Sequence, residues 1–409
     1  MTIVVVGAGP AGLACARELR RLDVPDVVVL DRERRAGGVP RHCQHQGFGL
    51  RDLHRVMSGP RYAERRLEMA KRAGAQVIPE SMVTGWSEDG ALEVTSPRGR
   101  FAAHAEVVVL ATGCRERPRA ARLVPGSRPE GVMTTGALQQ LVQRGGSGIG
   151  ERALVVGAEH VSFSALLTLR HAGAKVMGMT TELPRHQTLR AFRAGAAVRY
   201  RVPLWTRTAV AAIHGGRRVE EVELLDLESG ETRRVGCDTV VFTTDWIPDS
   251  ELAALAGLEM DPATRGARVD TGLRGSRAGV FAAGNLVHPA EPADVAALTG
   301  RHAASRVARW LRAQAPWPAE RVPMVCEPPL RWIAPGAVSA EHDAPPRGHF
   351  ALRSSELLGR TRIEIRQGER TLWSGRVRRL VPGRSTPLPA DWIESAESGN
   401  VPIQVRATG

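Results

Sequence analysis

The first 31 residues combine two apolar runs with a helical pattern. Residues 3–6 form one apolar run, which stops at Gly7, and residues 27–30 form another, which ends at Asp31. Between them, apolar side chains recur every three positions at Leu13, Ala16 and Leu19, which is typical of a helix with one buried face. Short runs rich in β-branched residues on either side of such a helix predict a strand–helix–strand unit with parallel strands.

The same order returns in the middle of the chain, over residues 152–182. The pattern predicts a buried strand up to Gly157, a helix after it, and a second strand over residues 175–179. Two further apolar runs, residues 106–113 and 279–285, each lead into a glycine turn. Strands that alternate with helices are typical of parallel sheets covered by helices. The pattern therefore predicts an α/β fold with two related halves.

After about residue 320 the helical pattern ends and alternation takes over. Prolines accumulate over residues 316–346, and apolar and polar side chains then alternate around Ile363 and Ile365. The sequence at residues 367–369 is typical of a hairpin turn. We predict a small β-rich domain over residues 328–409, which serves as a docking surface or as a stabilising cap.

The turn after the first strand has the spacing G-x-G-x-x-G, at Gly7, Gly9 and Gly12. Glycine at the first position allows the tight turn, and at the second it lets a diphosphate approach the backbone. The third lets the helix pack closely on the strand. Free N–H groups at the helix start attract phosphates, and Asp31 can hold ribose hydroxyls. We predict a dinucleotide site at this turn.

The second copy of the turn lacks two of the three glycines. Gly157 is kept, but Glu159 and Ser162 stand where the other two would be. A side chain at position 159 blocks a diphosphate, and an ionised carboxylate about 4 Å from it costs roughly 4 kcal/mol at an effective dielectric constant near 20. We expect this half to persist as a scaffold. A working NAD(P) site and a relaxed site for another ligand are the alternatives.

Composition narrows the choice of partners. The chain has 409 residues and a net charge of +13, carried mostly by arginines spread along its length. It shows no zinc-finger spacing and no helix-turn-helix or aromatic stacking pattern, so we expect no nucleic acid partner. The five cysteines are widely spaced and include no C-x-x-C pair, which argues against a disulfide framework, a metal site or an iron–sulfur cluster.

The chain opens directly on a strand, and no apolar run approaches the length of a membrane span. We therefore expect no signal peptide and no integral membrane segment. With the cysteine pattern, this favours a cytoplasmic location.

Three phrases carry a resemblance to a known family: GGVPRHCQHQGFG, ATGCRERPR and VPGSRPEGVMTTGALQQL. With the N-terminal motif, they resemble the FAD-dependent pyridine nucleotide-disulfide oxidoreductase superfamily over about residues 1–320. The closer likeness is to the flavin subunits of heteromeric amine, opine, proline and cyanide-forming dehydrogenases, and to glycerol-3-phosphate-dehydrogenase-like chains. The resemblance implies two Rossmann-like dinucleotide-binding domains, the second inserted in the first. We expect residues 1–116 and 239–322 to form the FAD-binding domain and residues 117–238 the NAD(P)-binding-like domain.

The resemblance also implies which residues contact FAD. Val83 would touch the adenine through its backbone, and Gly284 with Asn285 would face the ribityl chain. The position of Asn285 is usually aspartate in the superfamily, so the contact keeps an acceptor oxygen and loses a charge. We expect FAD as the cofactor and no use of NAD(P). The predicted FAD-binding residues are Gly7, Gly9, Pro10, Ala11, Gly12, Asp31, Arg32, Gly38, Val39, Val83, Ala111, Thr112, Gly113, Gly284, Asn285 and Ala293.

Candidates for proton transfer occur in the segment RHCQHQGFG, which the resemblance places near the flavin. His42 and His45 are the predicted catalytic residues, because a histidine there can donate to flavin carbonyls or move a proton. Both could equally shape a loop or contact a partner subunit. Cys43 is expected to be a small packing residue. Trp246 and His288 are candidates of second rank.

Together these features predict an FAD-dependent dehydrogenase subunit. Its flavin would take electrons from an amino- or hydroxy-acid-type substrate through a catalytic partner subunit of the amino-acid-oxidase-like type. It would pass them to an acceptor other than NAD(P). A thioredoxin- or glutathione-type reductase would need a redox cysteine pair, which the sequence lacks. The alternatives are a stand-alone NAD(P)H-dependent flavoprotein reductase and a non-catalytic scaffold subunit that keeps FAD.

Overall fold

The computed structural model describes residues 2–145, 148–188, 194, 200–318 and 320–408. The contacts between residues divide the chain into two compact units. Unit 1 consists of Met1–Arg41, Gln46–Arg115 and Ile247–Gly409, and unit 2 consists of His42–His45 and Glu116–Trp246.

The α-helices of the described residues are α1 (Pro10–Arg21), α2 (Gly59–Arg72), α3 (Thr135–Gln143), α4 (His160–His171), α5 (Glu251–Leu255) and α6 (Ala293–Ala313). Short 3₁₀ helices occur at Val39–His42, Arg119–Arg122, Gly284–Leu286, Pro346–Gly348 and Ile393–Ser395. None of the helices in this part of the chain is both long and apolar enough to cross a membrane.

The described strands fall into three stretches of the chain. The first stretch contains β1 (Thr2–Val6), β2 (Asp26–Leu30), β3 (Gln46–Phe48), β4 (Met57–Ser58), β5 (Gln76–Ile78), β6 (Met82–Trp86), β7 (Leu92–Ser96), β8 (Gly99–Ala103), β9 (Val107–Leu110) and β10 (Cys114–Glu116). The second contains β11 (Val132–Thr134), β12 (Arg152–Val156), β13 (Lys175–Thr180), β14 (Leu204–Trp205), β15 (Thr208–Gly215), β16 (Val219–Asp226), β17 (Thr232–Gly236), β18 (Thr239–Phe242), β19 (Trp246–Pro248) and β20 (Val280–Ala282). The third contains β21 (Arg321–Cys326), β22 (Leu330–Ala334), β23 (Ala337–Ser339), β24 (His349–Ser354), β25 (Thr361–Gln367), β26 (Arg370–Val377), β27 (Thr386–Pro389) and β28 (Ile403–Thr408).

A parallel sheet in the order β20–β9–β1–β2–β5 forms the centre of unit 1. Its strands consist mostly of buried valine, isoleucine and leucine, which is typical of a parallel sheet covered on both faces. β1 pairs with β2 from Thr2 opposite Asp26 to Val6 opposite Leu30. β1 also pairs in parallel with β9, and β9 pairs in parallel with β20. The carboxyl ends of β1, β9 and β20 therefore lie side by side, at the edge where ligands bind in such sheets.

Unit 2 repeats this design with a parallel sheet in the order β11–β18–β12–β13–β14. Helix α4 connects β12 to β13, as α1 connects β1 to β2. Strand β18, which follows the predicted limit at residue 238, pairs with β12 and completes this sheet. An antiparallel sheet, β15–β16–β17, belongs to the same unit. The predicted α/β fold with two Rossmann-like halves is confirmed, and the predicted domain limits stay predictions.

The C-terminal stretch forms two sheets, β23–β21–β28–β25–β26 and β22–β24–β27. β25 and β26 make the predicted hairpin, with Gln367 opposite Arg370. Ile333 of β22 lies in the core between these two sheets. Its neighbour Trp332 lies instead in the core around the parallel sheet of unit 1, because successive side chains of a strand point to opposite faces. The β22–β24–β27 sheet therefore packs directly on the dinucleotide-binding part of unit 1.

Candidate cofactor site

The first glycine turn has no room for a side chain at Gly7 or Gly12, but it has open space at Gly9. Gly7 has a φ of 105°, and a Cβ there would lie 2.5 Å from the carbonyl oxygen of Ala111. A Cβ on Gly12 would lie 1.9 Å from the carbonyl oxygen of Gly7. A Cβ on Gly9 would meet no other atom within 4 Å. The space above Gly9 is therefore where a diphosphate can approach the backbone.

The first turn of α1 offers donors to that space. The helix begins at Pro10, has no side-chain cap in the described structure, and has no acidic residue in its first turn. Proline suits this position because its missing N–H would have no partner within the helix. The N–H groups of Ala11 and Gly12 belong to the set that a helix leaves without internal acceptors. A phosphate is a natural acceptor for such an N-terminus.

Asp31 lies at the end of β2 and is buried. Its Oδ2 accepts from the N–H of Ala8 at 2.5 Å, and its Oδ1 accepts from the N–H of Glu33 at 2.8 Å. Burial raises the pKa of the Asp31 carboxyl, and these two donors oppose that rise. Each oxygen keeps a lone pair for a ribose hydroxyl. The next residue, Arg32, is exposed and lies 3.7 Å from a carboxylate oxygen of Asp249.

The glycine pair that follows Asp31 lies against the same turn. Gly37 and Gly38 both have positive φ angles, 124° and 64°. The N–H of Gly37 donates to the carbonyl of Ala8 at 2.8 Å. A Cβ on Gly38 would lie 2.9 Å from the Cα of Gly9. The backbone thus passes beside the position proposed for the diphosphate, and Val39 follows with 54% of its surface exposed.

The end of β9 adjoins the turn. The N–H of Ala111 donates to the carbonyl of Val6, the last residue of β1, at 2.8 Å. Thr112 does not point its hydroxyl into the turn, because its Oγ1 donates to the carbonyl of Asp249 at 2.7 Å. Gly113 has a φ of 82°, and a Cβ there would meet no other atom within 4 Å. A second open position therefore follows β9.

The end of β20 leads into Gly284 and Asn285. A Cβ on Gly284 would lie 2.7 Å from the Cβ of Ala11 in α1. The side chain of Asn285 makes two hydrogen bonds with the backbone of Glu291. Its Oδ1 accepts from the Glu291 N–H at 2.8 Å, and its Nδ2 donates to the Glu291 carbonyl at 3.1 Å. The asparagine therefore fixes the loop over residues 285–291. Its contact with a ribityl chain stays a prediction.

The start of α6 is held by side chains of unit 1. Tyr62 donates to the carbonyl of Ala293 at 3.3 Å. Asp294 is buried and accepts from the backbone N–H and the guanidinium of Arg51 at 3.0 and 3.2 Å. A carboxylate in the first turn offsets part of the positive end of the helix dipole. Any flavin at this helix would therefore feel the Arg51–Asp294 pair as well as the dipole.

The structure brings most of the predicted FAD-binding residues to the carboxyl ends of β1, β2, β9 and β20. Val83 lies apart from them in β6, where it is buried. The predicted contacts of all these residues with FAD stay predictions.

The second turn is filled by the chain's own side chains. A Cβ on Gly157 would lie 2.0 Å from Oγ1 of Thr243 and 2.9 Å from Oε2 of Glu159. Glu159 is the N-cap of α4 and forms a capping box with Ser162, whose Oγ accepts from the N–H of Glu159 at 3.1 Å. Ser162 and Thr243 also share a hydrogen bond of 2.6 Å. Glu159 thus takes the place at this helix start that a diphosphate would need.

The predicted catalytic histidines belong to unit 2, although the residues on either side of His42–His45 belong to unit 1. His42 hydrogen-bonds through Nδ1 to the side chain of Gln143 in α3. His45 Nε2 lies 2.7 Å from Oγ of Ser164 in α4. The segment is therefore held by helices α3 and α4, as a loop-shaping role would require. A role of either histidine in proton transfer stays a prediction.

The surroundings of the cysteines give little support for thiol chemistry. Cys43 is buried and donates to the side chain of Gln139 at 3.3 Å. A nucleophilic cysteine needs a lowered thiol pKa. Burial instead raises the pKa of four thiols to about 12, namely those of Cys15, Cys43, Cys237 and Cys326.

Comparison with known proteins places this geometry in a family. The sequence profile described as pyridine nucleotide-disulphide oxidoreductase matches residues 1–313. The chain belongs to this family. The thioredoxin reductase of Treponema pallidum is 28% identical over 292 residues, which cover 69% of this chain and 88% of that protein. The glutamate synthase (NADPH) small chain of Mycobacterium tuberculosis is 27% identical over 366 residues, which cover 78% of this chain and 68% of that protein.

Solved structures show the same fold. The thioredoxin reductase of T. acidophilum superposes with a TM-score of 0.62 at 21% identity, covering 76% of this chain and 98% of that one. The L-proline dehydrogenase of P. horikoshii superposes with a TM-score of 0.58 at 16% identity, covering 76% of this chain and 55% of that one. At these identities the likeness concerns the fold alone.

As a member of this family, the chain is an FAD-dependent oxidoreductase. The residues fit the ADP half of FAD, because the turn is open above Gly9, the start of α1 is uncapped, and Asp31 keeps acceptor capacity. When bound, FAD supplies the acceptor for a hydride or two electrons. Over the described ranges, no group of three or more His, Cys, Asp or Glu side chains is arranged to hold a metal ion.

Sequence reasoning missed a contribution from the C-terminal sheets. Trp332 lies with its ring centroid 4.9 Å from that of His288, in the loop after Asn285. Arg353 lies over the same tryptophan and donates to Ser385 at 3.0 Å. Burial lowers the pKa of His288 to about 4, so its ring is neutral at pH 7. No local signal marks Trp332 or Arg353, because their position depends on how the strands pair.

A second histidine with a lowered pKa allows a test of pH dependence. Burial lowers the pKa of His302 in α6 to about 4, the charge of Arg306 adds to this, and the carbonyl of Thr271, which accepts from the ring at 2.9 Å, opposes it. Its ordinary pKa is 6.5. Between pH 6.5 and about 4, His302 binds a proton in the unfolded chain but not in the native state. Neutral His302 therefore makes its full contribution to the free energy of unfolding above about pH 6.5, and this contribution is lost as the pH falls toward 4.

We expect His302→Gln to flatten the loss of stability in acid. The slope of the unfolding free energy between about pH 6.5 and 4 should fall by up to about 1.4 kcal/mol per pH unit, the contribution of one proton. Urea unfolding of both proteins across this range measures it. Parallel curves for the two proteins would show that His302 titrates normally in the folded chain.

Proposed function

We propose that the chain is the flavin subunit of a dehydrogenase that oxidises an amino- or hydroxy-acid-type substrate. It works with a catalytic partner subunit of the amino-acid-oxidase-like type in the cytoplasm, and its flavin passes electrons to an acceptor other than NAD(P). The observation that carries the proposal is the filled second turn, where Glu159 holds the helix start. The resemblance to flavin subunits of heteromeric amine, opine and proline dehydrogenases supports the substrate class.

Two further observations support this choice among members of the family. The five cysteines include no C-x-x-C pair, so a redox pair of that kind does not serve the flavin. The name of one similar protein also fits the proposal, since the small chain of a glutamate synthase is named as one chain of a larger enzyme.

The obstacle at the second turn is mainly one of space. Burial raises the pKa of the Glu159 carboxyl, and the hydroxyls of Thr243 and Ser162 oppose that rise. The roughly 4 kcal/mol of repulsion expected for an ionised carboxylate applies only while the group is charged. In either protonation state, the side chain stands over Gly157 and occupies the helix start.

This reasoning separates two substitutions of the same residue. We expect Glu159→Gly to raise the affinity for NADPH roughly 10-fold or more, because a phosphate could then approach the N–H groups at the start of α4. One or two such hydrogen bonds are worth about 1.5–3 kcal/mol. Glu159→Gln should change it much less, since the glutamine keeps the volume and removes only the charge. Fluorescence titration of each variant with NADPH measures both.

Glu182→Gln, at an exposed glutamate of the same unit, is the matched control and should behave as the unchanged protein. Tight binding of NADPH before any substitution would contradict the proposal. A gain in Glu159→Gln as large as that in Glu159→Gly would show that charge, and not volume, closes the site.

Anaerobic spectroscopy tests the proposed function itself. The chain is purified together with co-expressed products of neighbouring genes, and the flavin absorbance is followed. We expect slow or no bleaching with NADH or NADPH, and bleaching with an amino or hydroxy acid when the partner subunit is present. Rapid bleaching by NADPH alone would establish the alternative of a stand-alone reductase.

That alternative has one specific observation in its favour, since a similar protein is named for its use of NADPH. A non-catalytic scaffold is the other alternative. It would gain support if the bound flavin resisted dithionite as well as every donor.

A further inference from the structure

The C-terminal sheets present two side chains to the loop that follows Asn285. Trp332 of β22 and Arg353 of β24 are directly opposite each other in the antiparallel pair, so they share one face of the sheet. That face is the one that packs on the dinucleotide-binding part of unit 1. Both side chains are buried.

Arg353 is a buried cation with spare donor capacity. Its Nη2 donates to the carbonyl of Ala290 at 3.3 Å, to Glu291 Oε1 at 3.5 Å and to Ser385 Oγ at 3.0 Å. Its Nε is buried and has no hydrogen-bond partner within the described residues. The guanidinium carbon lies 4.9 Å from the centre of the Trp332 ring, and this cation–π contact stabilises the positive charge on one face.

Glu291 provides the opposite charge beside it. The backbone of Glu291 is fixed by the side chain of Asn285, and its carboxylate accepts from the hydroxyl of Ser385. The 3.5 Å between Glu291 Oε1 and Arg353 Nη2 is long for a hydrogen bond between charged groups, which is usually 2.7–2.9 Å. The two charges are therefore adjacent but loosely joined, and each can take a second partner.

A third polar group lies against the same tryptophan. His288 has its ring centroid 4.9 Å from that of Trp332, and its Nδ1 is buried without a hydrogen-bond partner in the part of the chain that the structure describes. Buried polar groups in native proteins are nearly always hydrogen-bonded, and exceptions call for a ligand or another explanation. Here two such exceptions, on His288 and Arg353, occur around one aromatic ring.

The charges of this cluster select one class of ligand. The buried Arg353 and the half-buried Glu291 together have no net charge. A ligand with a single negative charge would bind Arg353, but it would have to displace Glu291 from the arginine. An α-amino acid is a zwitterion whose carboxylate and ammonium group are held a few bonds apart. It can satisfy both side chains at once, whereas a hydroxy acid can satisfy only the arginine.

We propose that Arg353 and Glu291 form a binding site for an α-amino acid, with the guanidinium binding the carboxylate and Glu291 binding the ammonium group. This inference rests on the proposed function and adds that this chain, and not only its catalytic partner subunit, binds the substrate. It also narrows the substrate class from amino or hydroxy acids to amino acids. The C-terminal sheets thereby contribute directly to substrate binding, and Asn285 acts as a positioning residue by fixing the backbone of Glu291.

A pair of isosteric probes tests the proposal. 2-Aminoisobutyrate and 2-hydroxyisobutyrate differ only in an ammonium group against a hydroxyl, and neither has an α-hydrogen to be oxidised. Calorimetric titration of the FAD-loaded protein should show binding of the amino probe at least 10-fold tighter than that of the hydroxy probe. Equal affinities, or no binding of the amino probe, would overturn the proposal.

Substitutions assign the two charges separately. Glu291→Gln should weaken binding of the amino probe at least 10-fold and leave binding of the hydroxy probe nearly unchanged. Arg353→Met should weaken binding of both probes. Arg376→Met, at an exposed arginine of β26, is the matched control and should change neither. Unchanged affinity of the amino probe in both site variants would exclude this location.

If Arg353→Met does not fold, Arg353→Lys replaces it in this test, because lysine keeps the charge and lacks the Nε–H of the planar guanidinium. Arg353→Lys should still weaken binding of both probes. Binding is measured here without turnover, so its failure is distinct from failure of the proposed function, which is judged from flavin reduction.

Discussion

Replacing Arg274 by methionine should lower the free energy of unfolding by about 3–5 kcal/mol, because it removes the ion pair of the buried Asp270 and one of the ion pairs of the buried Asp343. Arg274 Nε lies 2.8 Å from Asp270 Oδ2, and its Nη2 lies 3.1 Å from Asp343 Oδ2. The side chains of these aspartates are 0% and 3% exposed. A third contact, 2.9 Å to Glu341, is partly exposed. Guanidinium chloride unfolding measures the change.

Arg309→Met is the matched control for Arg274→Met. Arg309 contacts the same Asp343 at 2.9 Å, but 60% of its side chain is exposed, so its loss should cost at most about 1 kcal/mol. Similar losses in the two variants would mean that burial of the carboxylates does not set the cost. Asp270 precedes β20 and Asp343 follows β23, so Arg274 links the C-terminal sheets to the parallel-sheet part of unit 1.

The first turn could be predicted because its information is local. Three glycines within six residues, between two apolar runs, specify a turn whose backbone must be approached closely. The structure gives each glycine a separate physical reason, since a Cβ would collide at Gly7 and Gly12 and would intrude on open space at Gly9. Asp31 follows from the same pattern, because a parallel neighbour strand must end beside the turn.

The second turn was predictable only in part. The sequence shows that Glu159 and Ser162 replace glycines, and this indicates a lost function. The sequence pattern does not show the capping box between them, or the hydroxyl of Thr243 that hydrogen-bonds to Ser162. Thr243 directly follows β18 and lies 81 residues after Ser162, so its position depends on how β18 pairs with β12. The repulsion expected from the sequence also changes, because burial raises the pKa of Glu159.

The contribution of the C-terminal sheets could not be predicted from local pattern. Alternation predicts strands, but it does not say which face of a sheet meets another domain. Trp332 and Arg353 become neighbours only through the register of β22 with β24. They reach His288 only because that sheet packs on unit 1. The histidine segment at residues 42–45 is a similar case, since its assignment to unit 2 depends on side chains of α3 and α4.

Gly9→Ala should weaken FAD binding by about 2–4 kcal/mol, or roughly 30- to 1000-fold, because a methyl group would hold the diphosphate away from one or two backbone N–H donors. The backbone of Gly9 is extended, with φ −78° and ψ −174°, which any residue before a proline adopts. The space around its Cβ position contains no protein atom within 4 Å. The substitution should therefore leave the fold intact and act on the cofactor. Flavin content after purification and titration of the apoprotein with FAD measure the effect.

Two comparisons make this expectation specific to the diphosphate. Gly359→Ala, at an exposed glycine whose Cβ would also meet nothing within 4 Å, should keep full flavin content. Gly12→Ala should lose both flavin and stability, because its Cβ would lie 1.9 Å from the carbonyl oxygen of Gly7. If Gly9→Ala retained FAD with unchanged affinity, the open space above the turn would not be where the cofactor's diphosphate binds, and the assignment of the first turn would be wrong.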